Sequence, residues 1–189
     1  MRPVVLAEAL AVALSACSAP ADEQSASPSA SPSPTGFAVT SPDFVDGAEL
    51  ADWATANAYG GQCVGENLNP ALAWTNVPEG TQAFAITLID RTGSNYIHWV
   101  QFDIPGDSLG IARGAGAADG GVEGATSEAS PGYFGPCPPD PDHQYEFTVY
   151  ALDAPLGLET GADFVDVSIA IGEHTLAAAT ITGVRSGPA

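Results

Sequence analysis

Three stretches alternate between apolar and other side chains, and this period of two constrains the fold more than any other feature. In residues 82–90, Phe84, Ile86 and Leu88 fall on one face, and Asp90 ends that face. In residues 97–104, His98, Val100, Phe102 and Ile104 share one face, while Trp99, Gln101 and Asp103 share the other. Residues 145–152 repeat the pattern with Tyr145, Phe147, Val149 and Ala151. Alternation of this kind, punctuated by Gly, Pro and Asp, predicts half-buried strands of an antiparallel β core. Residues 105–139 are glycine-rich and weakly patterned, which predicts loop. Residues 160–172 read two ways. Thr160-x-x-Asp163 ahead of an apolar run suggests a helix cap, whereas Phe164, Val165, Val167, Ile169 and Ile171 prefer a strand. Residues 174–183 read as a last strand, and neither an internal repeat nor a second domain is visible.

The N-terminus has a different character. A largely apolar run from Pro3 to Leu14 follows a lone Arg2, contains Glu8, and ends in Leu14-Ser15-Ala16-Cys17. It is too short to span a bilayer and fits the core of a signal peptide. The last four residues resemble the lipobox of bacterial lipoproteins, in which the cysteine takes a diacylglyceryl group and becomes the mature first residue. A plain secretory signal with an incidental cysteine is the alternative. Residues 18–36 are almost wholly Ser, Ala and Pro and cannot repay their ordering entropy by burial. They predict a solvated tether that could hold a domain up to ~60 Å from a membrane. The expected organisation is a signal peptide at 1–16, a lipidated Cys17 with a linker to 36, and a folded domain over 37–186. The expected location is the outer face of a bacterial cytoplasmic membrane, held by lipid at Cys17.

Charge removes several classes of partner. The chain has 23 acidic residues against four arginines and no lysine, for a formal net charge of −19. Nucleic-acid binding needs cations that displace phosphate counterions, so it is excluded. Electrostatic docking on anionic lipid is excluded for the same reason. Cleavage before Cys17 would remove one arginine and one glutamate and leave the charge unchanged at −19. Setting Cys17 aside leaves Cys63 and Cys137. In an exported chain they are either a disulfide, closing a loop of about 75 residues and contributing ~4.5 kcal/mol in the chain-entropy account, or two free thiols lining a pocket.

Few residues can carry chemistry. Asp90 ends one strand face and His98 opens the next. If those strands are neighbours, the carboxylate meets the imidazole and orients it. Gly135-Pro136-Cys137-Pro138-Pro139 makes a rigid, donor-poor loop, because proline fixes φ and lacks an N–H. His143 and Tyr145, two apart, would present an imidazole and a phenol on one face of a strand.

These pieces resemble a known family. Cys63-x-Gly65-Glu66-Asn67-x-Asn69-Pro70-x-Leu72-x-Trp74, Val77-Pro78-Glu79-Gly80-Thr81, His98-Trp99, Ile104-Pro105, the glycine–proline loop, His143-x-Tyr145 and Tyr150-Ala151-Leu152-Asp153 stand in the order found in phosphatidylethanolamine-binding proteins. The nearest likeness is to the bacterial branch named after Raf kinase inhibitor, and the closing stretch from His174 to Gly183 fits that branch as well. The resemblance implies an antiparallel Greek-key, β-sandwich-like single domain with a few short helices, one of them over residues 163–171. It implies a small anion-accepting pocket built from Asp90, His98, Gly135, Pro136, Cys137, Pro138, His143 and Tyr145. It also implies a binding module without catalytic residues or cofactor, whose ligand is a phosphate-type anion or headgroup. Two departures mark this chain. The family's Asp-Pro-Asp-Ala-Pro motif is replaced by Asp90-Arg91-Thr92-Gly93, and Gln144 stands where the family often has arginine. Arg91 is then the candidate replacement cation.

Two other classes compete. Other branches of the family are associated with inhibiting a peptidase or kinase, which would make this an interaction protein. Alternatively, Asp90, His98 and His143 could ligate a metal in a hydrolase, although no His-x-x-x-His or nucleophile-elbow motif accompanies them. For the anion pocket, the histidines would supply the charge, so binding is expected to strengthen below about pH 6.5.

Overall fold

The computed structural model describes residues 36–139 and 142–187. The expectations for the signal peptide at 1–16, for Cys17 and for the linker up to residue 35 lie outside the described residues. In chain order the elements are β1 (Ala38–Thr40), β2 (Asn57–Ala58), β3 (Cys63–Val64), β4 (Leu72–Thr75), β5 (Ala83–Asp90), β6 (Tyr96–Pro105) and β7 (Gly110–Ile111). They continue with β8 (Val122–Glu123), β9 (His143–Leu152), α1 (Phe164–His174) and β10 (Thr175–Arg185). The protein is mainly β, as its alternating stretches predict.

Strands β10-β9-β5-β6-β8 form one antiparallel sheet in that order, and β1-β4-β7 form a smaller antiparallel sheet. The apolar cluster that joins the two sheets contains Phe84, Ile86 and Leu88 of β5, Phe147 and Val149 of β9, Leu72 and Trp74 of β4, and Ile111 of β7. On the opposite face of the large sheet, Ala83, Ala85, Val100, Phe102 and Leu152 pack with Val167 and Ile171 of α1. Covered on both faces, β5 has every residue buried. Its two alanines on the helix side leave room for α1.

The strand β6 departs from simple alternation. Leu88 faces Trp99 but Ile89 faces Ile97, so His98 is an extra residue in the ladder. A second irregularity lies between the Phe84–Ile104 and Ile86–Gln101 pairs, where Asp103 adopts a left-handed φ of 54°. A bulge inserts one residue and re-aims the side chains on either side of it. His98, Val100, Phe102 and Ile104 therefore do not share a face. Val100 and Phe102 pack toward α1, whereas Trp99 and Ile104 pack between the sheets. The His98 ring lies edge-on to Tyr145, a member of the inter-sheet cluster.

The ambiguous C-terminal stretch is a helix. Val167 and Ile171, four apart, are buried, while Val165 and Ile169 are 60% and 57% exposed. An apparent period of two is thus the i, i+4 face of a helix that also carries two exposed β-branched residues. Its cap is Asp163, whose side chain accepts from the Val165 N–H at 3.1 Å, and not Thr160. Gly161, at φ 82°, is left-handed and keeps the helix from starting earlier.

Candidate functional site

The last residue of β5, Asp90, is held between Tyr96 of β6 and Tyr145 of β9. Its Oδ1 accepts the backbone N–H groups of Thr92 and Gly93 at 2.9 and 2.7 Å, closing the turn that follows the strand. A Cβ at Gly93 would lie 2.5 Å from Asp90 Oδ2, so this turn requires glycine. That second oxygen accepts the Nδ1–H of His143 at 2.6 Å. His143 and Tyr145 lie on one face of β9, as their spacing predicts, and both rings turn to the same end of the sheet.

The partner expected for Asp90 was His98, and the structure corrects this. The bulge turns His98 toward the glycine–proline loop, where its Nδ1–H donates to the Phe134 carbonyl at 2.7 Å. The Phe134 N–H returns a bond to the His98 carbonyl at 2.8 Å. Burial pushes the His98 imidazole below its ordinary pKa, against the opposing pull of the Phe134 carbonyl and the Asp90 charge. Acid strengthening that begins at pH 6.5 is therefore not to be expected of His98; its own charge change lies lower.

The loop itself is clamped onto the segment that runs from residue 54 to residue 67. Gly135 N–H donates to Asn67 Oδ1 at 2.8 Å, and Asn67 Nδ2 donates to the Tyr133 carbonyl at 2.9 Å. A Cβ at Gly135 would stand 2.3 Å from the Ala54 carbonyl oxygen, so only glycine permits this approach. Cys137 is disulfide-bonded to Cys63, with Cα atoms 5.9 Å apart. Of the two readings of this cysteine pair, the bridge is the one found, and it forms part of the pocket wall.

Asp90, His98, His143 and Tyr145 line a cleft of about 930 Å³, together with Cys63, Cys137, Pro138 and Pro139. Gly135 and Pro136 do not line it; they are buried behind its wall. Four further residues shape the mouth. Tyr59, Tyr96 and Phe134 line it, and the Tyr59 and Tyr96 hydroxyls both donate to Glu128 Oε1, the Tyr59 bond being 3.1 Å. Burial and the Glu128 carboxylate hold both tyrosines above their ordinary pKa, Tyr96 the further. Tyr96 and Phe134 flank residues singled out in the sequence. Nothing in the sequence marks Tyr59 or Glu128, which join the site from distant loops.

Arg91 does not supply the cation. Its Nε pairs with Glu146 at 2.5 Å and its Nη1 donates to Asn95, away from the cleft lining. Arg185 lies opposite His143 across the β9–β10 ladder and pairs with Asp52 at 2.7 Å. Among the described residues, no group of three His, Cys, Asp or Glu side chains is placed to hold a metal. Of the proposed ligands, His98 and His143 each have Nδ1 bonded, to the Phe134 carbonyl and to Asp90. Among the same residues, no helix is long and apolar enough to cross a membrane.

A small sheet packed on a large antiparallel one, with a half-enclosed cleft of imidazoles, a carboxylate and phenols at the strand ends, defines a small-ligand binding protein. The sequence profile of the phosphatidylethanolamine-binding protein family matches residues 40–186, and the chain belongs to that family. YbcL of Escherichia coli is 33% identical over 160 residues, covering 78% of this chain and 86% of its own length. Its crystal structure, described as a new member of the mammalian PEBP family, superposes with a TM-score of 0.72 at 32% identity, over 79% of this chain and 97% of that one. A UPF0098 protein of Methanothermobacter thermautotrophicus is 40% identical over 128 residues, 65% of this chain and 85% of its own. LppC, a candidate lipoprotein of Mycobacterium tuberculosis, is 32% identical over 176 residues, covering 88% of this chain and 78% of its own.

Proposed function

We propose that the cleft is a receptor for a small phosphate-type anion, such as a headgroup, carried on a domain tethered outside the cytoplasmic membrane by lipid at Cys17. The observation that carries the reading is the pair of imidazoles in the cleft wall. Each is fixed through Nδ1, His98 by the Phe134 carbonyl and His143 by Asp90, and both rings line the cleft. Rings oriented from behind in this way are prepared to meet a ligand oxygen without reorganising. Tyr145, kept a phenol by burial and by the Asp90 charge, adds a hydroxyl. The tether draws support from LppC, because that match spans more of the chain than the folded domain over 37–186 would account for.

Calorimetric titration of O-phosphoethanolamine tests the pocket. His98→Ala and His143→Ala are each expected to reduce affinity at least tenfold while the circular dichroism spectrum stays that of the parent. Unchanged affinity in both variants would remove the assignment. For the tether, Cys17→Ala is expected to move the full-length protein from the membrane fraction to the soluble fraction of an expressing bacterium.

A further inference from the structure

The disulfide stands between two cavities. Gln62, Cys63 and Pro138 line both the cleft of about 930 Å³ and a second cavity of about 300 Å³, whose other walls include Asp52, Thr55, Arg185 and Ser186. Arg185, behind this partition, is near enough for its charge to act on the Tyr145 phenol in the cleft. The bridge joins two loops rather than two core elements, since neither apolar cluster draws a residue from 57–66 or from 134–139. One loop is held by the two-residue ladder of β2 with β3, in which Ala58 faces Cys63. The other is held by hydrogen bonds only as far as Pro136, whose carbonyl accepts the Ala56 N–H at 3.3 Å. Both cysteines are half-buried, so neither sulfur is sealed inside the core.

We infer that the Cys63–Cys137 bridge is a redox gate: oxidised, it closes the partition, and reduction by a dithiol protein releases segment 137–139 and joins the two cavities while both sheets stay folded. The step is a thiol–disulfide exchange. A thiolate of the dithiol attacks the Cys63 sulfur, and Cys137 leaves as a thiolate and takes up a proton. The second thiol of the reductant then displaces Cys63 from the mixed disulfide. The bridge gains two electrons and two protons, and the reductant closes to a disulfide of its own. Attack falls on Cys63 because its neighbours Gln62 and Val64 are exposed, whereas Pro136 and Pro138 on either side of Cys137 are buried. Disulfides that solvent can reach are the labile, regulatory kind, while purely structural ones resist reduction. The gate acts on whatever the cleft holds and is independent of the ligand's class.

Hydrogen–deuterium exchange of the full-length protein, before and after dithiothreitol in native buffer, tests the gate. Intact-mass analysis after alkylation is expected to find both thiols free, with the circular dichroism spectrum unchanged. Exchange is then expected to speed at least tenfold at the Ala56 and Gly65 amides, which bond to the Pro136 and Ala56 carbonyls beside the partition. Amides of β5, β9 and β10 are expected to keep their protection, and oxidised glutathione to restore the slow pattern. A bridge that yields to dithiothreitol only in denaturant overturns the gate. Identical exchange in the two states overturns it as well, and so does a loss of protection that spreads into β5 and β9, the mark of a structural staple. The double variant Cys63→Ser, Cys137→Ser is expected to show the reduced pattern and to ignore the reductant. If that variant does not fold, the comparison of oxidised and reduced parent still decides.

Discussion

His98 is the residue on which local chemistry and stability meet. The fold favours its neutral form because burial desolvates the charged ring. An unfolded histidine takes up a proton near pH 6.5, whereas folded His98 does so only at lower pH. The sign follows: His98 adds nothing at pH 8, where both states are neutral, and destabilises the fold as pH drops from about 6.5 toward the folded value. Melting curves between pH 8 and 5 are expected to fall more steeply for the parent than for His98→Gln, and parallel curves would contradict this. The sequence showed Asp90, His98, His143 and Tyr145 as the residues able to carry chemistry, yet paired the acid with the wrong imidazole. Sequence spacing assigns faces by counting alternate residues, and one inserted residue in β6 reverses the count beyond it. The true pair, Asp90 and His143, spans 53 positions and forms only because β9 lies beside β5. Glu128 and Tyr59 had no sequence signal for a similar reason, since their meeting depends on where two irregular loops are carried by the strands beneath them.

Among the elements, α1 and the disulfide-braced loop carry the sharpest expectations. β-branched residues left 164–171 open between strand and helix, and the helix that the family resemblance implied is the one found: the packed positions Val167 and Ile171 follow a helical spacing, and the capping Asp163 starts it. Intrinsic preference is a weak prior that tertiary packing overrides. Val167→Ala is therefore expected to cost about 1–2 kcal/mol in urea denaturation, from lost burial and a small cavity. Val165→Ala and Ile169→Ala, on the exposed face, are expected to be neutral or stabilising by a few tenths of a kcal/mol, because alanine is the better helix former. A strand-like pattern of costs at all three sites would refute the helix. In the loop, Cys63→Ser removes a bridge between residues 74 apart, and a loss of about 4 kcal/mol is expected on the chain-entropy account. Backbone contacts alone do not replace it. No hydrogen bond among the described residues involves the backbone of Cys137, Pro138 or Pro139, so the wall they form depends on the sulfur bridge. The same variant should accordingly weaken phosphate-type binding even at temperatures where it stays folded.

Across the whole molecule, the excess of acid turns ordinary electrostatic logic around. At a net charge of −19 the chain repels anions at long range, and the arginines of the described residues are already paired with Glu146, Asp43, and Asp52 and Glu49. Two of the carboxylates, Asp90 and Glu128, act on the cleft directly. Binding must then come from short-range hydrogen bonds made inside a partly enclosed cleft, with the surrounding field opposing entry. Screening weakens that field much more than it weakens contacts within the cleft: the Debye length shrinks from about 30 Å at 0.01 M to about 8 Å at 0.15 M ionic strength. Most anion receptors are cationic and lose affinity as salt rises. Here the affinity for O-phosphoethanolamine is expected to increase severalfold between 0.01 and 0.15 M, when ionic strength is raised with a bulky anion that cannot enter the cleft. Calorimetry or equilibrium dialysis reads this directly. A fall in affinity over that range would mean that a cation in or near the cleft dominates recognition, and the ligand would then be held by charge rather than by the oriented donors and acceptors of His98, His143 and Tyr145.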